Sequence, residues 1–239
     1  MQTRRRVRPY RLLPLCLAVT VPLIAVVASA RAAEINYEFH AQSQGARAWL
    51  AGEGFEFKLD ADNAARSRFA LGERGPTLEA LGPAEPLIAR PGLNIAQPAR
   101  LTVTWGVARY PAGANWDIGA NNEAIMVMVS FGTESLSGGL FVPPSPYFIG
   151  FFLCEKGRRG ILLTGRSYTR QGRYMCLDGP APGLEITSGV PLHEHFRAAF
   201  PGVSMLPVTG FAIEADTTQL GRDARSSAWI KSVKIGSPN

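Results

Sequence analysis

Histidine and cysteine are scarce in this chain, with three of each among 239 residues. No Cys-x-x-Cys pair occurs, so a zinc ribbon or a thioredoxin-like redox role has neither ligand set nor thiol pair. A Gly-x-Ser-x-Gly elbow, a P-loop, a dinucleotide fingerprint and a His-Glu-x-x-His motif are absent as well. Their absence removes the hydrolases, nucleotide binders and zincins that those motifs mark. Beyond residue 33 there is no apolar run long enough to span a bilayer. Nor is there a succession of 10- to 15-residue helical patterns, as a parallel βαβ fold would need.

An excess of positive charge is also missing once its location is considered. The formal charge is +6, but Arg4, Arg5, Arg6, Arg8, Arg11 and Arg31 all lie in the first 32 residues. That segment has a basic start, an apolar run from Leu12 to Val27, and small-residue sites at Ala28-Ser29-Ala30 and Ala30-Arg31-Ala32. It reads as a signal peptide over residues 1–32, removed on export to the periplasm or the extracellular space, with an uncleaved anchor as the alternative, although about 16 apolar residues fall just short of a span. Without it, 19 Lys and Arg balance 19 Asp and Glu. Nucleic acid is therefore not an expected partner.

Cys16 leaves with the signal, so Cys154 and Cys176 remain. In an oxidising compartment an even pair on strand-like segments suggests a disulfide, with two buried thiols as the alternative.

What is present is strand signal. Phe55 to Asp60 and Leu101 to Val107 alternate with period two. From Ala124 to Phe131, Ile125, Val127, Val129 and Phe131 share one face while Ala124, Met126 and Met128 share the other, as in a central strand covered on both sides. Tyr147–Cys154, Ile161–Thr164 and Arg173–Leu177 are further short strands, and Phe211–Asp216 with Ser227–Ile235 reads as a closing pair. Leu192, Phe196 and Phe200 repeat every four residues between Pro191 and Pro201, which predicts one short helix near 191–200. The expected fold is all-β: a two-sheet antiparallel sandwich of jelly-roll type forming one domain over residues 33–239.

Candidate sites are few. On a helix, His193 and His195 point away from each other and cannot share an ion; His40 is isolated. Glu214 and Asp216 would project from one face of a strand about 7 Å apart, the residue type that glycoside hydrolysis uses. The plainer reading is an outward polar strand end with an Asp-Thr-Thr turn. Asn115, Trp116, Asp117, Asn121, Asn122 and Glu123 form the densest polar and aromatic cluster. A tryptophan face can stack on a sugar while Asn and Asp bind hydroxyls. The same oxygens could ligate calcium, and Asn, Asp and Gly are also common turn formers. Tyr147, Phe148, Phe151 and Phe152 fit core or cleft. Arg158, Arg159, Arg166, Arg170 and Arg173 fit solvated hairpin edges.

Taken in order, several segments resemble a family. They are Leu87-Ile-Ala-Arg-Pro-Gly-Leu-Asn-Ile95, Leu101-Thr-Val-Thr-Trp-Gly-Val107, Asn121-Asn-Glu-Ala-Ile-Met-Val-Met-Val-Ser-Phe131, Gly210-Phe-Ala-Ile-Glu-Ala-Asp-Thr-Thr218 and Ala228-Trp-Ile-Lys-Ser-Val-Lys-Ile235. They are similar to exported bacterial proteins catalogued as a domain of unknown function, whose architecture resembles carbohydrate-binding and galactose-binding-like jelly rolls. That family carries an acidic pair where this chain has Asn121-Asn122. Glu214-x-Asp216 also resembles the Glu-x-Asp-x-x-Glu line of jelly-roll glucanases, but the third carboxylate is replaced by Gln219. The resemblance implies the fold and, more weakly, a non-catalytic module for a glycan or other cell-envelope ligand. A polysaccharide hydrolase or lyase, or an envelope assembly protein, is the alternative.

Overall fold

A computed structural model describes residues 34–39, 45–96, 100–139 and 142–236. The basic leader over residues 1–32 and His40 lie outside the described residues. In chain order the elements are β1 (Ile35–Glu38), α1 (Ala46–Gly52), β2 (Glu56–Leu59), β3 (Ser67–Gly72), β4 (Gly75–Ala80), β5 (Pro86–Ile95) and β6 (Arg100–Arg109). There follow β7 (Glu123–Leu136), β8 (Ser145–Leu153), β9 (Gly172–Asp178), β10 (Glu185–Pro191), α2 (Leu192–Ala199), β11 (Val208–Asp216) and β12 (Ser226–Gly236).

The strands form two six-stranded sheets, a sandwich of jelly-roll type. One has the order β10-β6-β12-β4-β3, with β1 paired to the far end of β12; the other runs β2-β5-β11-β7-β8-β9. Leu101, Val103, Trp105 and Val107 of β6 are fully buried, as are Ile125, Val127, Val129 and Phe131 of β7, all within one core cluster. The alternation of apolar side chains thus places one face of each strand between the sheets. Trp105 carries a polar N–H into this core, and the donor is satisfied: Nε1 donates to Ser188 Oγ at 3.1 Å, and Ser188 Oγ donates to Asp178 Oδ2 at 2.8 Å.

Strand β7 is central, flanked by β11 and β8, and the helix near 191–200 is present as α2. Its Leu192 and Phe196 are buried, with Phe196 against Phe131 at 4.8 Å. His193 is exposed, while His195 is half-buried edge-on to Phe151 at 6.0 Å.

Several details depart from expectation. The pairing is antiparallel except between β8 and β9, which run parallel. The 154–171 connection is long enough to cross over and return in the same direction, which a tight hairpin cannot do. Within it, residues 161–164 form no strand; only Leu163 bridges to Tyr174. The supposed closing pair is divided, since β11 and β12 belong to different sheets. A second helix, α1, buries Ala46 and Leu50 while Trp49 meets Phe39 edge-on at 5.8 Å. At seven residues it is too short to be stable alone and depends on that packing. Pro91 lies in β5 beyond the stretch paired with β2, where no ladder partner on that side requires an N–H.

Cys154 and Cys176 are joined in a disulfide, with Cα atoms 5.9 Å apart, that ties the end of β8 to β9. Replacing both by Ala should lower unfolding stability by about 3 kcal/mol, from the entropy of the loop no longer closed. Urea denaturation of wild type and double variant measures this, and equal midpoints would contradict it.

Candidate functional site

The outer face of the β2–β9 sheet is not a plain solvated surface. Met126 of β7, Phe152 of β8, Cys154 and Cys176 form a second buried cluster there, against which Trp116, Met128, Leu163 and Tyr174 pack. Aromatic rings continue along this face in an unbroken row. Trp116 lies 4.6 Å from Tyr174 and 5.1 Å from Phe152, Tyr174 is 5.6 Å from Phe148, and Phe148 is 5.4 Å from Tyr168.

Glycines make room for these rings. A Cβ at Gly172 would come within 2.6 Å of Phe148 Cζ, and one at Gly165 within 2.7 Å of Tyr174 Cε2. At Gly150 it would collide with Met126 Sδ and stand 3.0 Å from Tyr174 Cδ1. The rings can lie against the backbone only because those positions have no side chain. Of the four aromatics noted in β8, Phe148 and Phe152 join this row, Phe151 enters the inter-sheet core, and Tyr147 packs on Phe200 of the α2 end.

The loop preceding β7 is folded down onto the row. Asn115 opens a single 3-10 turn, its Oδ1 accepting from the Asp117 N–H at 3.0 Å, and Gly119 closes it in the left-handed region at φ 80°. Trp116 Nε1 donates to Glu123 Oε2 at 3.1 Å. Asp117 accepts from the backbone N–H of Arg158 at 2.9 Å and from its Nε at 3.2 Å, while Arg166 donates to the Gly119 carbonyl. Two of the arginines expected on solvated edges therefore hold this loop. Asn122 Nδ2 donates to Asp216 Oδ1 at 3.0 Å. The Asn121 N–H and carbonyl meet Gln219 Oε1 and Nε2, each at 3.4 Å. Gln219, which stands where a glucanase-like carboxylate would be, is a clasp between two loops.

The six loop residues thus direct their side chains or backbone groups to internal partners. Asn122 Oδ1 is the exception: it is buried without a protein partner, and its residue lines a cavity of about 10 Å³ beneath Trp116, on the scale of one water molecule. Among the described residues no group of three or more His, Cys, Asp or Glu side chains is arranged to hold a metal ion.

Glu214 and Asp216 come from β11, but they do not form an outward polar strand face. Glu214 is opposite Met126, Asp216 is opposite Glu123, and a bulge separates the two pairings. Glu214 is 6% exposed and Glu123 2%. Asp216 does make the expected turn, accepting from Thr218 N and Oγ1, both at 2.7 Å. A residue that sequence reasoning missed completes the group: Glu85, just ahead of β5, is hydrogen-bonded to Glu214. Nothing local marks it, because its partner is far along the chain and the two meet only through the pairing of β5 with β11.

Burial is the main cause that holds the Glu214 and Glu123 carboxyls well above the usual carboxylate range. The neighbouring charges of Glu85 and Asp216 add to it for both groups, and Glu123 and Glu214 each respond to other members of the cluster. Glu85 and Asp216 are raised as well, again first by burial, although the Glu214 bond in one case and the Thr218 bonds in the other oppose it. The Tyr174 and Tyr168 hydroxyls are pushed up first by burial and further by the carboxylates of Glu214 and Glu85. The bond with Glu85 adds to burial in favouring the protonated form of Glu214.

Because the folded-state values are raised, the stability these groups contribute is full at acid pH and is lost as pH climbs through their folded values. Wild-type thermal stability should therefore fall as pH rises above the ordinary carboxylate range. Glu214→Gln, which keeps a donor toward Glu85 without a titrating group, should gain stability over wild type as pH is raised above the ordinary carboxylate range and gain little below it. Calorimetric melting across that range measures the difference. A constant gap between the two proteins would show that Glu214 does not titrate there.

No protein-family model and no curated protein matches the chain, so the family resemblance of its strand segments has no independent support. Solved structures are matched at the level of the fold. A xylan-binding module, CBM15, is 10% identical, with a TM-score of 0.37 over 87% of this chain and 97% of that one. A loop-swap mutant of Xyn11A from Necallimastix patriciarum is 13% identical, with a TM-score of 0.38 over 77% of this chain and 91% of that one. At these scores neither likeness carries an argument about ligand or activity.

Proposed function

We propose that this chain is an exported, non-catalytic binding module for a glycan of the cell envelope, with the outer face of the β2–β9 sheet as its contact surface. The observation that carries the proposal is the row of rings Trp116, Tyr174, Phe148 and Tyr168, with Trp116 bonded to the Glu123 carboxyl at 3.1 Å. Trp116, Tyr168 and Tyr174 are half-buried and keep part of their surface toward solvent. Flat rings give a sugar an apolar platform, and adjacent oxygens accept hydrogen bonds from its hydroxyls. The Cys154–Cys176 disulfide suits the periplasm, and the even charge of residues 33–239 favours a neutral glycan over nucleic acid.

A polysaccharide hydrolase is the second proposal, favoured by one observation. Burial raises the Glu214 carboxyl, as a general acid for glycosidic bonds requires, and Asp216 follows two residues on along the same strand.

Tyr168→Ala separates these from a purely structural role better than a change at Trp116, which is stacked on two rings and bonded to Glu123. On a glycan array, wild type should bind and Tyr168→Ala should lose roughly tenfold in affinity with melting temperature nearly unchanged. Undiminished binding by the variant would remove this face from consideration. Product release from polysaccharides that stops in Glu214→Gln would favour the hydrolase; no product with retained binding would favour the module.

A further inference from the structure

The other sheet carries a feature unrelated to the ring row. Where the ends of β4, β6 and β12 meet, a cleft of about 340 Å³ is lined by Arg68, Glu79, Arg109, Arg225, Ser226 and Ser227 together with small apolar residues. That volume is at the lower end of small-ligand sites, which run from about 300 to 1,000 Å³.

Three guanidinium groups share this cleft with one carboxylate. Arg68 Nη1 is 3.3 Å from Glu79 Oε2, and Glu79 Oε1 accepts from Ser227 Oγ at 3.5 Å. Arg109 and Arg225 are exposed, and their guanidinium groups have no partner among the described residues. Ser226, 2% exposed, also lines the cleft with a buried Oγ that has no hydrogen-bond partner. A buried hydroxyl left unpaired is costly and uncommon in a folded protein.

A neighbouring cleft of about 410 Å³ shares Arg68 as a wall and provides a contrast. There the other cation, Arg47, is already matched by Asp62 and by the Ala61 carbonyl. Of the two, only the first cleft presents unmatched positive charge together with an unmatched buried donor.

We propose that this cleft binds a phosphomonoester, with Arg109 and Arg225 forking onto the phosphoryl oxygens. Three arginines less Glu79 leave a surplus of two positive charges, matching a phosphate dianion rather than the single charge of a carboxylate or sulfate ester. Guanidinium groups suit the geometry because each can offer two parallel N–H donors to a pair of phosphate oxygens. The space beyond the phosphate is of the right order for one sugar ring. Phosphate free in solution and phosphate carried on a sugar share this chemistry.

The test is isothermal titration calorimetry of the purified protein at low ionic strength with glucose 6-phosphate, inorganic phosphate and glucose. Saturable binding of glucose 6-phosphate, with glucose silent, is expected, weakening as salt is raised. Inorganic phosphate binding as tightly as the ester would identify the free anion as the ligand; weaker binding would point to the sugar-borne group. The Arg109→Gln/Arg225→Gln double variant should bind at least roughly tenfold more weakly with an unchanged melting temperature, and Arg225→Gln alone serves if the double variant does not fold. Tyr168→Ala should leave phosphate affinity unchanged, so the result is independent of the glycan proposal. No saturable heat with either phosphate, or equal affinity in the arginine variant, would overturn the inference.

Discussion

Strand β7 carries apolar side chains on both faces, and the opposing sheet can cover only one of them. Its inner residues Ile125, Val127, Val129 and Phe131 meet the other sheet, while Met126 and Met128 face the opposite way. Keeping these from water requires a second layer, which the chain builds from Phe152, Tyr174, Trp116 and the disulfide. The pieces that cover β7 are the loop before it and the connection after β8, and their arrangement follows from that need. Trp116 is therefore first a lid on Phe152 and Tyr174. The arginines of the 154–171 connection hold the lid in place through Asp117 and the Gly119 carbonyl.

Covering the outer face has an electrostatic consequence. Carboxyl groups at the ends of β7 and β11 are taken out of water along with the methionines, so Glu123 and Glu214 lie in a medium that disfavours their charged forms. Several acidic groups meet here, and burial, reinforced by like charge, pushes Glu123 and Glu214 up. The same covering raises these carboxyls toward their protonated forms behind the aromatic face. The opposite sheet shows the complementary imbalance, where Arg109 and Arg225 stand at a cleft with a single carboxylate that Arg68 already holds.

Period-two alternation made the sandwich legible, because burial on one face leaves a direct mark on consecutive residues. β7 was readable in more detail still, since apolar residues on both faces of one strand require cover on both sides. The four-residue repeat of Leu192, Phe196 and Phe200 likewise announced α2, whereas α1 left no comparable pattern and exists through its contacts with Phe39 and its neighbours. Parallel pairing of β8 with β9 was not readable, since a strand's own side chains do not record the direction of its partner. In the candidate site, Trp116, Glu123, Glu214 and Asp216 stood out as residue types and do converge. Glu85 and Gln219 took roles that no motif marks, one bonded to Glu214 and the other clasping Asn121.

By itself the amino-acid sequence determined the all-β class, the two-sided burial of β7 and the placement of α2, because each depends on local periodicity. Tertiary structure alone decided that Glu214 is a buried acid rather than a solvated one, that Trp116 rests on Tyr174, and that Arg109 and Arg225 share a cleft. Those properties depend on which strands become neighbours. Neighbourhood between β5 and β11, or between β4, β6 and β12, is set by the summed packing of both sheets and by no short stretch of the chain.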